Sequence, residues 1–374
     1  MILKSIKVEH KDEKTGLVLK RIITSDGEYL NHKIAIDNSM CNCEKHRLCY
    51  GKNIFDNPFQ THHIPFNNKK MIWDFDGMQI SREHAKRQNR IYLTFQQRSE
   101  EQWQSLTFPE AEGDFQDLAT RGLSFVPYSI PLDAKLEDWI KRRGEAVLLL
   151  NNSQILVPVF CSKHQRELFE EIFNYEFEHS KIIGVQCYGL YDEVTLLNLM
   201  KIRLRNMKLE SKDECPLLFG LNYQKILKSF ANVSGSFAYS CFGFDILSCR
   251  QMFLEKMPPE VVQHILSTKP EEMMRYDRNL GGFSLSAEQE FDNGINLTKQ
   301  FLLNVDLTEG LNPHQAIQWA NHNGQQKDFD VLNDYLLETA YEGKEDLALK
   351  YIGSEKERWA VFWKTKMIQT AEVS

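Results

Sequence analysis

The chain has 374 residues, of which 42% are hydrophobic and 26% are charged, and its formal net charge is −7 at pH 7. These values are ordinary for a globular protein, and the length suits one large domain with an appendage or two domains. The sequence has no apolar run long enough for a membrane span and no N-terminal secretory signal, so we expect an intracellular, cytoplasmic protein. The negative charge disfavours a broad electrostatic contact with nucleic acid but allows a local basic face.

The first part of the chain contains β-prone segments separated by turn signals. Residues 1–32 are therefore predicted to form an N-terminal β ribbon. Residues 37–70 are polar, carry cysteines and histidines and show little periodicity, which is typical of a functional loop or an inserted subdomain. Downstream, short apolar runs predict strands over residues 71–74, 91–95, 123–128, 146–150, 155–160, 181–187, 216–221 and 237–242.

Amphipathic helices are predicted between the later strands, over residues 164–177, 193–207 and 223–231. Strands that are almost continuously apolar and that alternate with helices indicate a parallel sheet covered by helices. The regular recurrence of these units favours a TIM-like (β/α)8 barrel over residues 33–255. Residues 256–374 are predicted to form a helical C-terminal region, with helices over 260–267, 286–305, 313–321, 329–341 and 355–370.

Two acids stand at the ends of predicted strands, where a parallel barrel carries its chemistry. Asp74 follows a short apolar run, and Asp245 closes the last predicted strand. Two such acids can divide the work of a nucleophile and a proton donor. Two structural interpretations remain open: Asp74 or Asp76 caps the next helix, or Asp245 is a buried, hydrogen-bonded acid. Arg250 is close enough in sequence to pair with Asp245 or to bind a phosphate.

These segments resemble the tRNA-guanine transglycosylase superfamily, including its DNA-modifying 7-deazaguanine transglycosylases. Residues 74–79 match the family pattern Asp-Ser-Gly-Gly-Phe-Gln at its first, fourth and sixth positions, and residues 243–247 are similar to its Met-Phe-Asp-Cys-Val. Three further segments, 156–160, 182–190 and 217–221, resemble the family's intervening strands in the same order. The resemblance covers roughly residues 70–250.

The resemblance implies a base-exchange glycosyltransferase that replaces guanine in DNA or tRNA with a 7-deazaguanine base. Asp245 would attack the sugar to give a covalent intermediate, and Asp74 would manage the proton on the bases. The implied substrate-binding residues are Asp76, Gly77, Met78, Gln79, Asp133, Tyr188, Gly189, Leu190 and Arg250. The expected partners are nucleic acid, the free base and, as protein partner, a second subunit or a second copy of the chain.

A second group of residues has the chemistry of a zinc site. Cys41, Cys43, His46 and Cys49 lie within nine residues and offer ligands that Zn²⁺ accepts. We therefore expect a structural zinc ion here, although the spacing also fits buried cysteines with no metal. The predicted chemistry needs no cofactor, and a disulfide framework is not expected in a cytosolic chain of this size.

The sequence also departs from the family. No cysteine follows Cys249, so the family's downstream zinc motif is missing, and Phe75 stands where the family has serine. Two other functions therefore remain open. One is a non-catalytic relative that binds nucleic acid or serves as a scaffold. The other is a hydrolase or lyase of a free deazaguanine base or nucleoside.

Overall fold

The structure is a computed structural model that describes residues 1–37, 57–67, 70–71, 75–209, 215–249, 258–268, 272–285, 313–344 and 346–368. The chain divides into two compact units. The first comprises residues 1–35, 58–224 and 239–249, and the second comprises residues 36–57, 225–238 and 250–374.

The N-terminal segment is an antiparallel sheet of three strands in the order β1-β2-β3. The strands are β1 (Leu3–Asp12), β2 (Leu17–Thr24) and β3 (Glu28–Leu30). Most of β2 is buried, which explains its run of β-branched and aliphatic residues. These three strands lie within residues 1–32, the segment predicted as a β ribbon.

The first unit contains a six-stranded parallel sheet in the order β4-β14-β11-β10-β9-β8. Its strands are β4 (Lys33–Ile34), β8 (Phe125–Ser129), β9 (Ile155–Cys161), β10 (Ile182–Gln186), β11 (Leu217–Tyr223) and β14 (Ile246–Cys249). Strands β8, β10 and β14 are buried at every position, as expected for parallel strands covered on both faces. The prediction of a mixed α/β fold with a parallel sheet is confirmed.

A second sheet of the same unit has the order β6-β5-β7. Strand β5 (Phe59–Asn67) runs parallel to β7 (Ile91–Gln97) and antiparallel to the short β6 (Lys70–Met71). Its side chains contact strands of the larger sheet. The ring of Phe59 lies 5.5 Å from that of Phe219, and the ring of Phe95 lies 5.9 Å from the same phenylalanine.

Helices connect the parallel strands of the first unit: α1 (Phe75–Arg87), α2 (Glu100–Gln104), α3 (Phe108–Ala119), α4 (Leu136–Leu149), α5 (Arg166–His179) and α6 (Glu193–Met207). Helix α5 buries Phe169, Ile172, Phe173 and Phe177 at helical spacing, so one apolar stripe faces the core. The helix predicted over residues 193–207 has the bounds of α6.

The remaining elements are β12 (Ile226–Leu227), a 3₁₀ turn (Lys228–Phe230), β13 (Val233–Ser234), α7 (Gly235–Ser240), α8 (Pro259–Ser267), β15 (Arg275–Asp277), β16 (Gly282–Ser284), α9 (Pro313–Glu342), α10 (Leu347–Lys350) and α11 (Glu357–Phe362). Two π-helical turns, Tyr351–Glu355 and Trp363–Ile368, flank α11. Strands β12, β13, β16 and β15 form a four-stranded sheet. Among the described residues, no helix is long and apolar enough to cross a membrane.

Several predicted elements were wrong. The apolar runs 146–150 and 237–242 were predicted as strands but lie in or beside helices α4 and α7, because a short apolar run has no distinguishing period. The helix predicted over residues 223–231 is the end of β11 followed by β12 and a 3₁₀ turn. Strand β5 lies within the segment predicted as an insert. The C-terminal region contains β15 and β16 besides its helices, and residues 286–305 lie outside the described part of the chain.

Candidate functional site at the carboxyl edge of the parallel strands

Asp245 lies at the opposite end of its strand from the one that the sequence suggested. Strand β14 begins at Ile246, so Asp245 precedes it. The backbone N–H of Asp245 donates to the carbonyl of Leu218, near the start of β11, over 2.9 Å. Its own carbonyl accepts from the N–H of Lys33, the first residue of β4, over 3.0 Å. Asp245 is therefore at the amino edge of the parallel sheet.

The side chain of Asp245 is 1% exposed and is held by three donors. Oδ2 accepts from Nζ of Lys20 and from the backbone N–H of Leu218, both over 2.8 Å, and Oδ1 accepts from Nδ2 of Asn31 over 2.8 Å. Lys20 belongs to β2, so this cluster joins the N-terminal sheet to the parallel sheet. A carboxylate that already accepts three hydrogen bonds is a poor nucleophile, because its lone pairs are engaged.

On three of the parallel strands, β5, β10 and β14, one face changes from apolar to polar toward the carboxyl edge. Alternate residues of a strand lie on the same face. On one face of β5 these residues are Phe59, Thr61 and His63. The same change occurs in β14, where Ser248 follows Ile246 by two positions, and at the end of β10, where Gln186 is the last residue. In parallel α/β folds, the carboxyl edge is where ligands bind.

A serine, a histidine and a threonine meet at this edge. Oγ of Ser248 lies 2.7 Å from Nε2 of His63 and 2.7 Å from Oγ1 of Thr61. The three residues are at most 1% exposed. When Thr61 donates to Ser248 and Ser248 donates to His63, these hydrogen bonds form a chain that reaches the imidazole. A hydroxyl so close to an imidazole is the arrangement that activates a serine nucleophile.

Gln186 links the ends of β7 and β10. Its Nε2 donates to the carbonyl of Arg98 over 2.6 Å and to the phenol oxygen of Tyr188 over 2.9 Å, and its Oε1 accepts from the N–H of Arg98. The Tyr188 hydroxyl also donates to the Arg98 carbonyl over 3.1 Å. These bonds fix the half-buried Tyr188 ring at the edge of the sheet.

The guanidinium of Arg98 is buried against Asp114, with which it forms an ion pair. Burial lowers the pKa of Arg98, and the nearby Asp114 opposes that change. Burial likewise raises the pKa of the Asp114 carboxyl, while Arg98 lowers it. At the end of β8, Oγ of Ser129 donates to Oε1 of Gln96 over 2.8 Å. The ammonium of Lys163 lies 5.5 Å from the centre of the Tyr188 ring.

Most of the predicted substrate-binding residues in the described part of the chain follow parallel strands. Tyr188, the exposed Gly189 and the buried Leu190 come directly after β10, and the exposed Asp133 lies in the turn between β8 and α4. Gly77, the buried Met78 and the exposed Gln79 lie in the first turns of α1, which also contains Asp76. These residues belong to the carboxyl side of the sheet, and Asp245 belongs to its amino side.

The other predicted site residues, Asp74, Arg250, Cys41, Cys43, His46 and Cys49, lie outside the described residues. Within the described residues, no group of three or more histidine, cysteine, aspartate or glutamate side chains could hold a metal ion. The described cysteines 161, 187, 215, 241 and 249 are free and buried.

Neither a scan against protein-family models nor a comparison with curated proteins finds a match to this chain. A functional interpretation therefore depends on the geometry of the carboxyl edge and on the motifs of the sequence.

Sequence reasoning missed the side chains that meet at the carboxyl edge: Thr61, His63, Gln96, Arg98, Ser129, Gln186 and Ser248. A signal for them was present. Each lies in or directly after a parallel strand, and a polar residue buried on such a strand must be hydrogen-bonded or functional. His63 lies in the segment 37–70 that was predicted as a loop or an insert, so the strand that carries it was not predicted.

Proposed function

We propose that the chain is a transglycosylase-like (β/α)8 barrel that exchanges a guanine-type base in nucleic acid for a 7-deazaguanine at the carboxyl edge of its strands. The observation that carries this proposal is the collection of buried polar side chains at that edge, on five different strands. The ordered resemblance of five segments to the tRNA-guanine transglycosylase superfamily gives the substrate class.

Closure of the barrel is supported by the chain order of its strands. Strands β4, β5, β7, β8, β9, β10, β11 and β14 pair in parallel wherever they are hydrogen-bonded to one another. Phe95 of β7 lies close to Gly184 of β10, where an added Cβ would be 3.3 Å from its ring, and Thr61 of β5 bonds to Ser248 of β14. If these strands formed a single open sheet, several strands would separate β7 from β10 and β5 from β14, and the two contacts could not form.

Recognition of a planar base is supported by the residues around Tyr188. An aromatic ring held by Gln186 and Arg98 can stack on a base, and the neighbouring amide and backbone groups can pair with the polar edge of the base. Reaching a base within a duplex would require flipping it out, which costs a few kcal/mol.

Contact with a polynucleotide is supported by a cleft beside α1. The cleft has a volume of about 550 Å³ and is lined by three basic residues, Arg82, Lys86 and Arg121, and by Glu83. It also includes Met78 and Gln79, two of the predicted substrate-binding residues. Three basic side chains in one cleft offer a local phosphate contact on a chain whose net charge is negative.

The proposal assigns Asp245 no bond-forming step. The carboxylate lies at the amino edge of the sheet, away from the polar side chains of the carboxyl edge, and its two oxygens accept hydrogen bonds from Lys20, Asn31 and Leu218. The same observation favours a second candidate function, a nucleic-acid-binding subunit without catalysis, because the nucleophile that the resemblance implied is used for structure.

Release of labelled guanine tests the proposed function. The protein is incubated separately with tRNA, duplex DNA, single-stranded DNA and guanosine, each carrying isotopically labelled guanine, with and without excess 7-deazaguanine. We expect release from one polynucleotide that depends on the added 7-deazaguanine. Binding to a polynucleotide without release from any substrate would overturn the enzymatic proposal in favour of the second candidate. Release from guanosine alone would indicate a nucleoside hydrolase.

A further inference from the structure

We propose that Ser248 and His63 form the catalytic pair of this site, with Oγ of Ser248 as the nucleophile that receives the sugar and His63 as its general base. This inference rests on the proposed function and names the residues that perform its chemistry.

The position of the pair supports this role. Ser248 lies in register with Leu221 of β11, and Leu221 lies in register with Gln186, the last residue of β10. The pair is therefore at the level of the Gln186 cluster that holds Tyr188, where the base is proposed to bind. The aromatic side chains of Phe59, the first residue of β5, and Phe219, two positions before Leu221 in β11, pack against each other on the amino side of this level.

The hydrogen-bond geometry fits proton transfer. A separation of 2.7 Å between Oγ of Ser248 and Nε2 of His63 is within the range in which an imidazole can take the hydroxyl proton. Thr61, also 2.7 Å from Ser248, can donate to Oγ and so leaves the serine proton directed toward the imidazole. Thr61 is thus a positioning residue.

The first half of the exchange balances with these groups alone. His63 takes the proton of Ser248, the Oγ–C1′ bond forms, and the glycosidic bond between C1′ and the base nitrogen breaks. The departing base takes the bonding electron pair and receives the proton from the imidazolium. The serine then carries the sugar, His63 is neutral again, and guanine leaves.

The second half is the reverse reaction with another base. The incoming 7-deazaguanine gives its proton to His63, its nitrogen attacks C1′, and the Oγ–C1′ bond breaks. The proton returns to Ser248. A single histidine that passes one proton in both directions follows the logic of serine-dependent acyl transfer, applied here to a glycosyl group.

Mass spectrometry of the trapped intermediate tests the pair. Wild type and the variants Ser248→Ala, His63→Gln and Ser240→Ala are incubated with the polynucleotide that releases guanine, denatured, digested and sequenced for a glycosylated peptide. Ser240 is a buried serine of the same unit and lies in α7, outside the polar cluster, so Ser240→Ala is the matched control. Far-ultraviolet circular dichroism and melting temperatures confirm that each variant is folded.

We expect the adduct on Ser248 in wild type and in Ser240→Ala, and no adduct in Ser248→Ala. The guanine release rate should fall by about 10²–10⁴-fold in His63→Gln. An adduct on another residue, or release at the wild-type rate by folded Ser248→Ala, would overturn the pair and leave the proposed function standing. No release by wild type from any substrate would overturn both.

Discussion

Lys20 and Asp245 form an ion pair that is almost fully removed from solvent. Nζ of Lys20 lies 2.8 Å from Oδ2 of Asp245, and the two side chains are 0% and 1% exposed. Lys20 also donates to the carbonyl of Pro216 over 3.2 Å, and Asn31 bonds to the other carboxylate oxygen. The pair fixes strand β2 to the amino edge of the parallel sheet, which is a structural role.

Removing the carboxylate should therefore destabilise the fold. Asp245→Ala leaves the ammonium of Lys20 buried without its anion, and breaking a buried pair in this way costs about 3–5 kcal/mol. The free energy of unfolding from urea titrations measures the loss. The double variant Lys20→Met, Asp245→Ala should cost less than the sum of its single changes, because it leaves no unpaired charge. A loss below about 0.5 kcal/mol in Asp245→Ala would refute the structural role.

Contact between β7 and β10 provides a test of barrel closure. A Cβ at Gly184 would meet Cδ1 of Leu221 at 3.1 Å and Cε1 of Phe95 at 3.3 Å. Gly184→Ala should thus destabilise the protein by about 1–3 kcal/mol through overpacking. In a Phe95→Leu background the added methyl has more room, so the cost of Gly184→Ala should shrink. Strict additivity of the two changes would contradict the contact.

The second unit contains a buried acid, Asp328, that collects four donors. Its oxygens accept from the hydroxyls of Tyr276 and Tyr351 and from the cationic groups of Arg278 and Lys356. Asp328→Asn removes the charge that pairs with the two cations, and we expect a loss of about 3–5 kcal/mol in the free energy of unfolding.

The matched control for this change is Glu338→Gln on the same helix, where the exposed partner is Lys344. An exposed pair contributes at most about 1 kcal/mol, so the control should remain close to wild type. Equal effects of the two variants would show that Asp328 does not organise the unit.

Buried thiols should make the fold sensitive to alkaline pH. Burial raises the pKa of Cys161 and of Cys241 from 9.0 to about 12, and that of Cys215 to about 11. Above pH 9 these groups lose their protons in the unfolded chain but keep them in the folded one. Rising pH therefore stabilises the unfolded state relative to the folded state. Their stabilising effect is complete below pH 9 and is lost as the pH rises through 11–12.

Urea titrations between pH 7 and pH 11 measure this dependence. Each such thiol steepens the fall in the free energy of unfolding by up to about 1.4 kcal/mol per pH unit. Cys241→Ala removes one thiol and should make the fall shallower, after its own constant cost in packing. A free energy of unfolding that does not change between pH 9 and pH 11 would contradict the raised pKa values of these thiols.

The sequence predicted the fold better than the site, and Asp245 shows why. The apolar run over residues 237–242 suggested that a strand ends at this acid, whereas those residues form α7 and a turn, and the strand starts afterwards. Hydrophobic content cannot separate a short buried helix from a strand. Because α7 was predicted as a strand, Asp245 was expected at the carboxyl edge of the sheet, whereas it lies at the amino edge. Longer periodic elements, such as α5 and α6, were predicted well.

Strand β5 was missed for a different reason, because polar residues hide its strand pattern. Its residues Gln60, Thr61, His62 and His63 interrupt the apolar pattern by which the other parallel strands were recognised. Those polar side chains are buried in the structure, and two of them bond to Ser248. A strand that carries a site breaks the rules of sequence patterning at the positions that matter for function.

The most direct test of the account compares the guanine release rates of Asp245→Asn and His63→Gln, each divided by the folded fraction at low temperature. Asparagine keeps the shape of Asp245 and can still accept from Leu218. We expect Asp245→Asn to release guanine at a rate within about threefold of wild type and His63→Gln to lose at least about 10²-fold of that rate. Loss of release in folded Asp245→Asn, with near-normal release in His63→Gln, would place the chemistry at the amino edge and contradict the account.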